Sequence, residues 1–141
     1  MSAVPRDILA NWQVVVIDDE PDSLQVASLV LQAYGAVIHT ATNGLEGLER
    51  IQSVQPRFVI CDLSMPEMDG WALIKAIQKD ANLREIPVIA LTAHAMLGDR
   101  ERALAAGFYN YLTKPLTAKT FIHDLLVLLV ANPQFADELQ Y

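Results

Sequence analysis

Four short runs in this chain are apolar along almost their whole length: Val14-Val15-Val16-Ile17, Phe58-Val59-Ile60-Cys61, Ile86 to Leu91 and Phe108 to Leu112. A strand with one wet face alternates polar and apolar residues, whereas a strand covered on both faces does not, and double coverage is the mark of a parallel sheet between helices. Strand-like runs alternate with helical patterns about five times along the chain. That order predicts an α/β architecture, an open parallel sheet with helices packed against it.

The intervening segments carry helix punctuation. The first helix is predicted from Pro21 to Tyr34, with proline suited to the first turn, Gly35 placed to stop it, and Leu24, Ala27, Leu31 and Tyr34 on one face. After a strand at Val37 to Ala41, Asn43 caps a second helix with Glu46 in a capping-box-like position, and Leu45, Leu48 and Ile51 are expected as its buried stripe, ended by Pro56. Asp69 is the expected N-cap of a third helix, with Trp71, Ile74 and Ile77 at apolar spacing. A fourth spans Asp99 to Ala106 before Gly107, and a fifth, Ala118 to Val130, is apolar nearly all round, which suits a buried helix or one whose outer face covers a partner.

At 141 residues and 52% hydrophobic composition the chain has the size and apolar content of one domain. We divide it into an N-terminal extension (1–12), the folded domain (13–131) and a C-terminal tail (132–141). Net charge is −7 and the ten Lys and Arg residues are scattered, which argues against direct nucleic-acid binding and favours a cation or a protein partner. Cys61 has no second cysteine to pair with, and neither a signal peptide nor an apolar run of spanning length is present, so a cytoplasmic protein without membrane insertion is expected. The thiol should point away from its neighbour Asp62 and be buried and inert.

The polar residues that close the apolar runs carry the chemistry. Asp18 and Asp19 end the first, Asp62 the second and Thr92 the third, while the fourth leads into Lys114-Pro115. In doubly wound sheets ligands bind beyond the carboxyl ends of the strands, where all of these fall. Clustered carboxylates repel one another and are commonly held ionised by a hard, oxygen-seeking cation such as Mg2+. Asp62 can then attack phosphorus, with Lys114 pairing with the anion and Thr92 donating a hydrogen bond.

Taken together, Val16-Ile17-Asp18-Asp19-Glu20, the Cys61 to Gly70 stretch Cys-Asp-Leu-Ser-Met-Pro-Glu-Met-Asp-Gly, Ala90-Leu91-Thr92-Ala93 and Tyr111-Leu112-Thr113-Lys114-Pro115 resemble, in order and spacing, the receiver domain of two-component response regulators, from about Gln13 to Val130. The resemblance implies a flavodoxin-like, doubly wound five-stranded parallel sheet of order 2-1-3-4-5 with helices on both faces. It implies that Asp62 accepts a phosphoryl group from a histidine kinase or phosphotransfer protein, and that Asp19, Asp62 and the Ser64 carbonyl hold Mg2+, with Asp18 acting largely through water. It further implies a switch in which Thr92 moves and Tyr111 turns inward, altering the surface around the fourth helix, fifth strand and fifth helix. Family pattern gives Ser64 and His94 a part in tuning hydrolysis, and often makes the residue pair equivalent to Lys114-Pro115 cis. The chain departs from the pattern at Phe108-Tyr109-Asn110, where receivers commonly carry a small residue and acidic ones. That argues against the charged dimer of winged-helix regulators and leaves the aliphatic face of the fifth helix for a homodimer or a docked partner. The Ala93 to Arg100 stretch is similar to receivers that work with hybrid kinases, which favours a phosphorelay or protein-binding output. The roughly ten residues given after the fifth helix are too few for a DNA-binding module, so output through an unknown downstream protein is expected.

Two other readings stand beside this one. A Mg2+-dependent phosphohydrolase of the haloacid dehalogenase type also uses a strand-end aspartate nucleophile, but usually has a second aspartate two positions on, where Ser64 stands here. A receiver that never takes phosphate and serves only as a docking domain is the third.

Overall fold

In the computed structural model, which describes residues 4–93 and 99–139, five strands and five helices alternate. They are β1 (Gln13–Ile17), α1 (Pro21–Ala33), β2 (Val37–Ala41), α2 (Gly44–Val54), β3 (Phe58–Asp62), α3 (Gly70–Lys79), β4 (Val88–Thr92), α4 (Asp99–Ala106), β5 (Asn110–Thr113) and α5 (Ala118–Val130). All strand pairs are parallel, in the order β2-β1-β3-β4-β5. The order reverses at β1, so the carboxyl ends of β1 and β3 lie side by side, with Ile17 level with Cys61 and Asp62 level with Leu91.

Continuous apolar strands feed two cores. Val14, Val16, Phe58, Ile60, Ile89 and Leu91 face α1 and α5, while Val15, Ile17, Val59, Cys61, Val88 and Ala90 face α2, α3 and α4. Neighbours on a strand point to opposite faces, and each face here has its own helical layer, which is why the sequence shows no alternation. β2 and β5 are the partly exposed edge strands, and the apolar Phe108 expected within the four-residue β5 lies before the strand, buried against Trp71.

Helix caps fall where their residue types require. The Asn43 side chain accepts from the Glu46 N–H at 2.9 Å and Asp69 accepts from the Ala72 N–H at 2.9 Å, each satisfying an orphan donor of a first helical turn. Gly35 and Gly107, at φ +100° and +114°, turn the chain out of α1 and α4. Leu45 is 50% exposed, and the buried line of α2 is Gly44, Gly47 and Ile51 rather than Leu45, Leu48 and Ile51. A Cβ on Gly47 would lie 2.4 Å from Ile17 Cδ1, so the helix is drawn onto β1 through its glycines and turns Leu45 outward, while Leu48 stays half-buried at the margin of the core.

The residues flanking the sheet are also folded. Leu9, Trp12, Phe135 and Leu139 are buried with α1 and α5, so the segment expected as a tail packs on the core up to its last described residue. Trp12 and Phe135 pack at a tilt with ring centroids 5.1 Å apart, and the Arg57 guanidinium lies 4.1 Å from the centre of Trp12 while making two hydrogen bonds to Glu138.

Candidate functional site

Each carboxyl edge residue arrives there by a local rule. β1 ends at Ile17 because Asp18 and Asp19 precede Pro21, which opens α1, and the Asp18 side chain accepts from the Glu20 N–H at 2.9 Å, holding the turn. β3 ends at Asp62, whose Oδ1 accepts from the Ser64 N–H at 3.2 Å. Behind it, a Cβ on Gly70 would lie 2.5 Å from the Asp62 carbonyl oxygen, so only glycine allows α3 to start so close to the strand. β5 leads to Lys114, whose N–H donates to the Thr92 carbonyl at 2.8 Å, and the Lys114-Pro115 peptide is cis.

These turns converge on one ammonium. Lys114 Nζ lies 3.1 Å from Asp18 Oδ1, 3.2 Å from Asp62 Oδ2 and 2.5 Å from Glu20 Oε1. Its side chain is only 7% exposed. Asp18 Oδ2 is buried and 3.0 Å from the same nitrogen, but receives no directed hydrogen bond. Carboxylate oxygens of Asp18, Glu20 and Asp62 come within 4.8 Å of one another, a grouping that can hold a metal ion. The donors are all hard oxygens, which suits Mg2+ rather than a softer metal.

Electrostatics follow from this crowding. Burial raises the Asp62 carboxyl above its usual range and the Asp18 charge adds to that, against the Ser64 N–H and Lys114, which favour the ionised form. Asp19, though exposed, is likewise raised by desolvation, by its hydrogen bond to Asp62 and by the Asp62 charge. Burial works against the Lys114 charge, but hydrogen bonds to Glu20 and Asp18 and the charges of Asp18 and Asp62 outweigh it and hold the ammonium above its normal value. Cys61 is fully buried, with its thiol pushed up by desolvation and then by Asp62, Asp18 and Asp69, which makes it unreactive.

The structure brings Asp18, Asp19, Asp62 and Lys114 together. Thr92 ends β4 beside them, 9% exposed and level with Thr113 of β5, while Ser64 is exposed in the loop after Asp62. Tyr111 sits on β5 level with Ala90, partly buried against the core under α2 to α4, and lines a cleft of about 410 Å³ between α4, β5 and α5. His94 lies outside the described residues. Glu20 enters the sequence reading only as the last residue of the Val16 to Glu20 motif. Its ion pair with Lys114 is a contact across 94 residues, and an acidic residue before a helix reads locally as nothing more than first-turn charge.

An open sheet of order 2-1-3-4-5 with an acidic cluster and a lysine at its carboxyl edge is the architecture of the receiver modules of two-component signalling. The chain belongs to that family, matching the response regulator receiver domain over residues 14–126. It is 33% identical over 112 residues to the polar-differentiation response regulator DivK of Brucella anthropi, covering 79% of this chain and 91% of that one. It is also 33% identical over 114 residues to the signal transduction histidine-protein kinase BarA of Shigella flexneri, covering 81% of this chain but 12% of the kinase. Among solved structures, the chemotaxis response regulator CheY4 of Vibrio cholerae superposes with a TM-score of 0.79 at 28% identity, over 85% of this chain and 100% of that one. The receiver domain of the sensor histidine kinase PA1611 of Pseudomonas aeruginosa, solved with a magnesium ion coordinated in its active site cleft, gives 0.74 at 28% identity, over 84% and 98%.

Proposed function

We propose that Asp62 is the phosphoryl acceptor of this receiver, served by Lys114 and Thr92. The observation that carries this reading is the Lys114 ammonium held 3.2 Å from Asp62 Oδ2 and 3.1 Å from Asp18 Oδ1 at the end of β3. An Asp62 oxygen attacks the phosphorus of a phosphohistidine on a kinase or phosphotransfer protein, the P–N bond breaks, and the imidazole leaves with the bonding pair and takes up a proton. Lys114 already neutralises the acceptor, and pairs with the phosphoryl oxygens once they arrive. The Thr92 hydroxyl, on the adjoining strand end, donates to the same group.

The residues suited to hold Mg2+ are Asp18, Asp19, Asp62 and the Ser64 carbonyl, and the undirected buried oxygen of Asp18 and the wholly oxygen donor set fit a hard cation. Bound there, Mg2+ supplies charge neutralisation for the phosphoryl oxygens. Support by likeness comes from the magnesium in the PA1611 receiver.

A phosphoryl group adds about −1.5 to −2 charge, and shifts a two-state equilibrium only through better contacts in one state. Thr92 and Tyr111 are the switch residues of our reading, because β4 joins them to the acceptor and Tyr111 lines the cleft between α4, β5 and α5. Output then passes to a downstream protein through that face, or to a second copy through the exposed Val127 and Val130 of α5, which are 58% and 40% accessible. We place the protein in the cytoplasm, without direct nucleic-acid contact and without turnover of an external substrate. No described helix is long and apolar enough to cross a membrane. Ser64, where a dehalogenase-type phosphohydrolase carries its acid/base aspartate, favours the signalling reading over hydrolysis.

The test is intact mass after incubation with acetyl phosphate, with and without Mg2+, for the wild type and Asp62→Ala. The expected result is one phosphoryl adduct that requires Mg2+ and is absent from the variant. An adduct that persists in Asp62→Ala would overturn the assignment, and no adduct from either acetyl phosphate or a phosphorylated histidine donor would make the chain a docking domain.

A further inference from the structure

The outer side of α3 presents a groove that the acceptor chemistry does not use. Its lining is Trp71, Ile74, Lys75, Gln78 and Lys79 of α3 with Ala106 of α4, enclosing about 420 Å³. Trp71, Ile74, Lys75 and Gln78 fall at helical spacing, one stripe along α3, and the floor is apolar while both lysines are exposed at the rim. Arg102 of α4 adds a third cation, its guanidinium 4.4 Å from the centre of the Trp71 ring.

Two ties hold this groove open in the shape it has. At one end Trp71 meets the buried Phe108 edge-on at 5.7 Å and is covered from outside by Arg102. At the other, the Gln78 amide donates to the Gly107 carbonyl at 3.5 Å, and Gly107 leaves it room, since a Cβ there would lie 2.8 Å from Gln78 Cδ. A preformed concave site with fixed aromatic and guanidinium groups avoids the ordering cost of binding.

Charge identifies what fits it. The chain carries −7 overall with ten basic residues, and three of those ten stand around this one apolar floor, whose lining includes no carboxylate. We propose that the α3–α4 groove docks an acidic amphipathic helix of a partner protein, with apolar side chains laid along Trp71, Ile74 and Ala106 and carboxylates paired with Lys75, Lys79 and Arg102. This is the helix-in-groove mode of recognition, with charge setting the choice of partner. The chain's own segment of similar character, Phe135 to Leu139 with Asp137 and Glu138, is not free to fill it, because Phe135 and Leu139 are already 1% and 2% exposed in the core. The groove lies across α4 from the cleft lined by Tyr111, so an occupant here and a partner there are not rivals for one surface.

The probe is a short synthetic amphipathic helix with leucine on one face and glutamate on the other, compared with its counterpart carrying lysine for glutamate. Backbone amide shifts map the contact, and Trp71 emission follows it, because the second tryptophan, Trp12, is 6% exposed and remote in the other core. The glutamate peptide should shift residues of α3 and of α4 from Arg102 to Ala106, weaken as salt rises, and bind at least about tenfold more tightly than the lysine peptide. Lys75→Glu with Lys79→Glu, both surface changes whose folding is checked by thermal unfolding, should reverse the preference between the two peptides. Equal affinity for both peptides, no binding of the glutamate peptide, or shifts confined to the Tyr111 cleft would each overturn the proposal. Concentration-dependent self-association lost in the double variant would assign the groove to a second copy and overturn it equally.

Discussion

Burial and the Asp18 charge hold the Asp62 carboxyl above its ordinary 3.8, so the folded chain keeps a proton there that the unfolded chain has already released. Between those two values the native state binds more protons than the unfolded one, and stability falls as pH rises through the window. Above it the destabilisation is fully present. Asp62→Asn, which removes the charge and keeps the shape, should therefore be more stable than wild type at neutral pH, and denaturant titrations should show the gain shrinking as pH is lowered through the carboxylate range. A variant no more stable than wild type at neutral pH would mean that the Lys114 pairing outweighs the repulsion. Asp18, Asp19, Asp62 and Lys114 were legible because each closes a strand or follows one, and strand ends in such a sheet converge. Glu20 was not, because its partner Lys114 follows the carboxyl end of β5 and no local pattern records that approach.

At the scale of elements, two glycines set how closely helices meet the strands that bear the site. Gly47 draws α2 onto Ile17, and Gly70 lets α3 begin against the Asp62 carbonyl. The neighbour at Gly70 is backbone, which cannot swing aside as the tip of an isoleucine can. Gly70→Ala should cost about 1–3 kcal/mol on chemical unfolding and slow phosphoryl uptake by moving the acceptor strand end. Uptake at the wild-type rate with unchanged stability would show that the loop from Leu63 to Asp69 absorbs the shift. Helix positions were readable from caps and stops, since these satisfy backbone groups within a few residues. The rotation of α2 was not, because a leucine at apolar spacing looks equally buried whichever way the helix rolls, and the choice belongs to the packing at Gly47.

At the scale of the molecule, the segments before β1 and after α5 close the end of the sheet opposite the acceptor. Phe135 packs on Trp12 and Phe58, Leu139 is buried, and Arg57 joins the two segments by lying over Trp12 while bonding Glu138. A chain ended at residue 131 exposes these apolar surfaces and should lose about 3–5 kcal/mol of stability, read as a lower denaturation midpoint, with phosphoryl uptake retained while it is folded. A midpoint unchanged by the truncation would show that the segment packs without contributing.

The sequence by itself determined the layer architecture, the helix ends and which polar residues stand at the carboxyl ends of the strands, because burial on both strand faces, capping and strand ends are properties of neighbours along the chain. Tertiary structure alone decided that Glu20 joins the acid cluster, that Gly47 rather than Leu45 faces the sheet, that residues 132–139 pack, and that three cations ring an apolar groove. Each of those depends on groups far apart in sequence coming within van der Waals or ion-pair distance, which only the folded chain fixes.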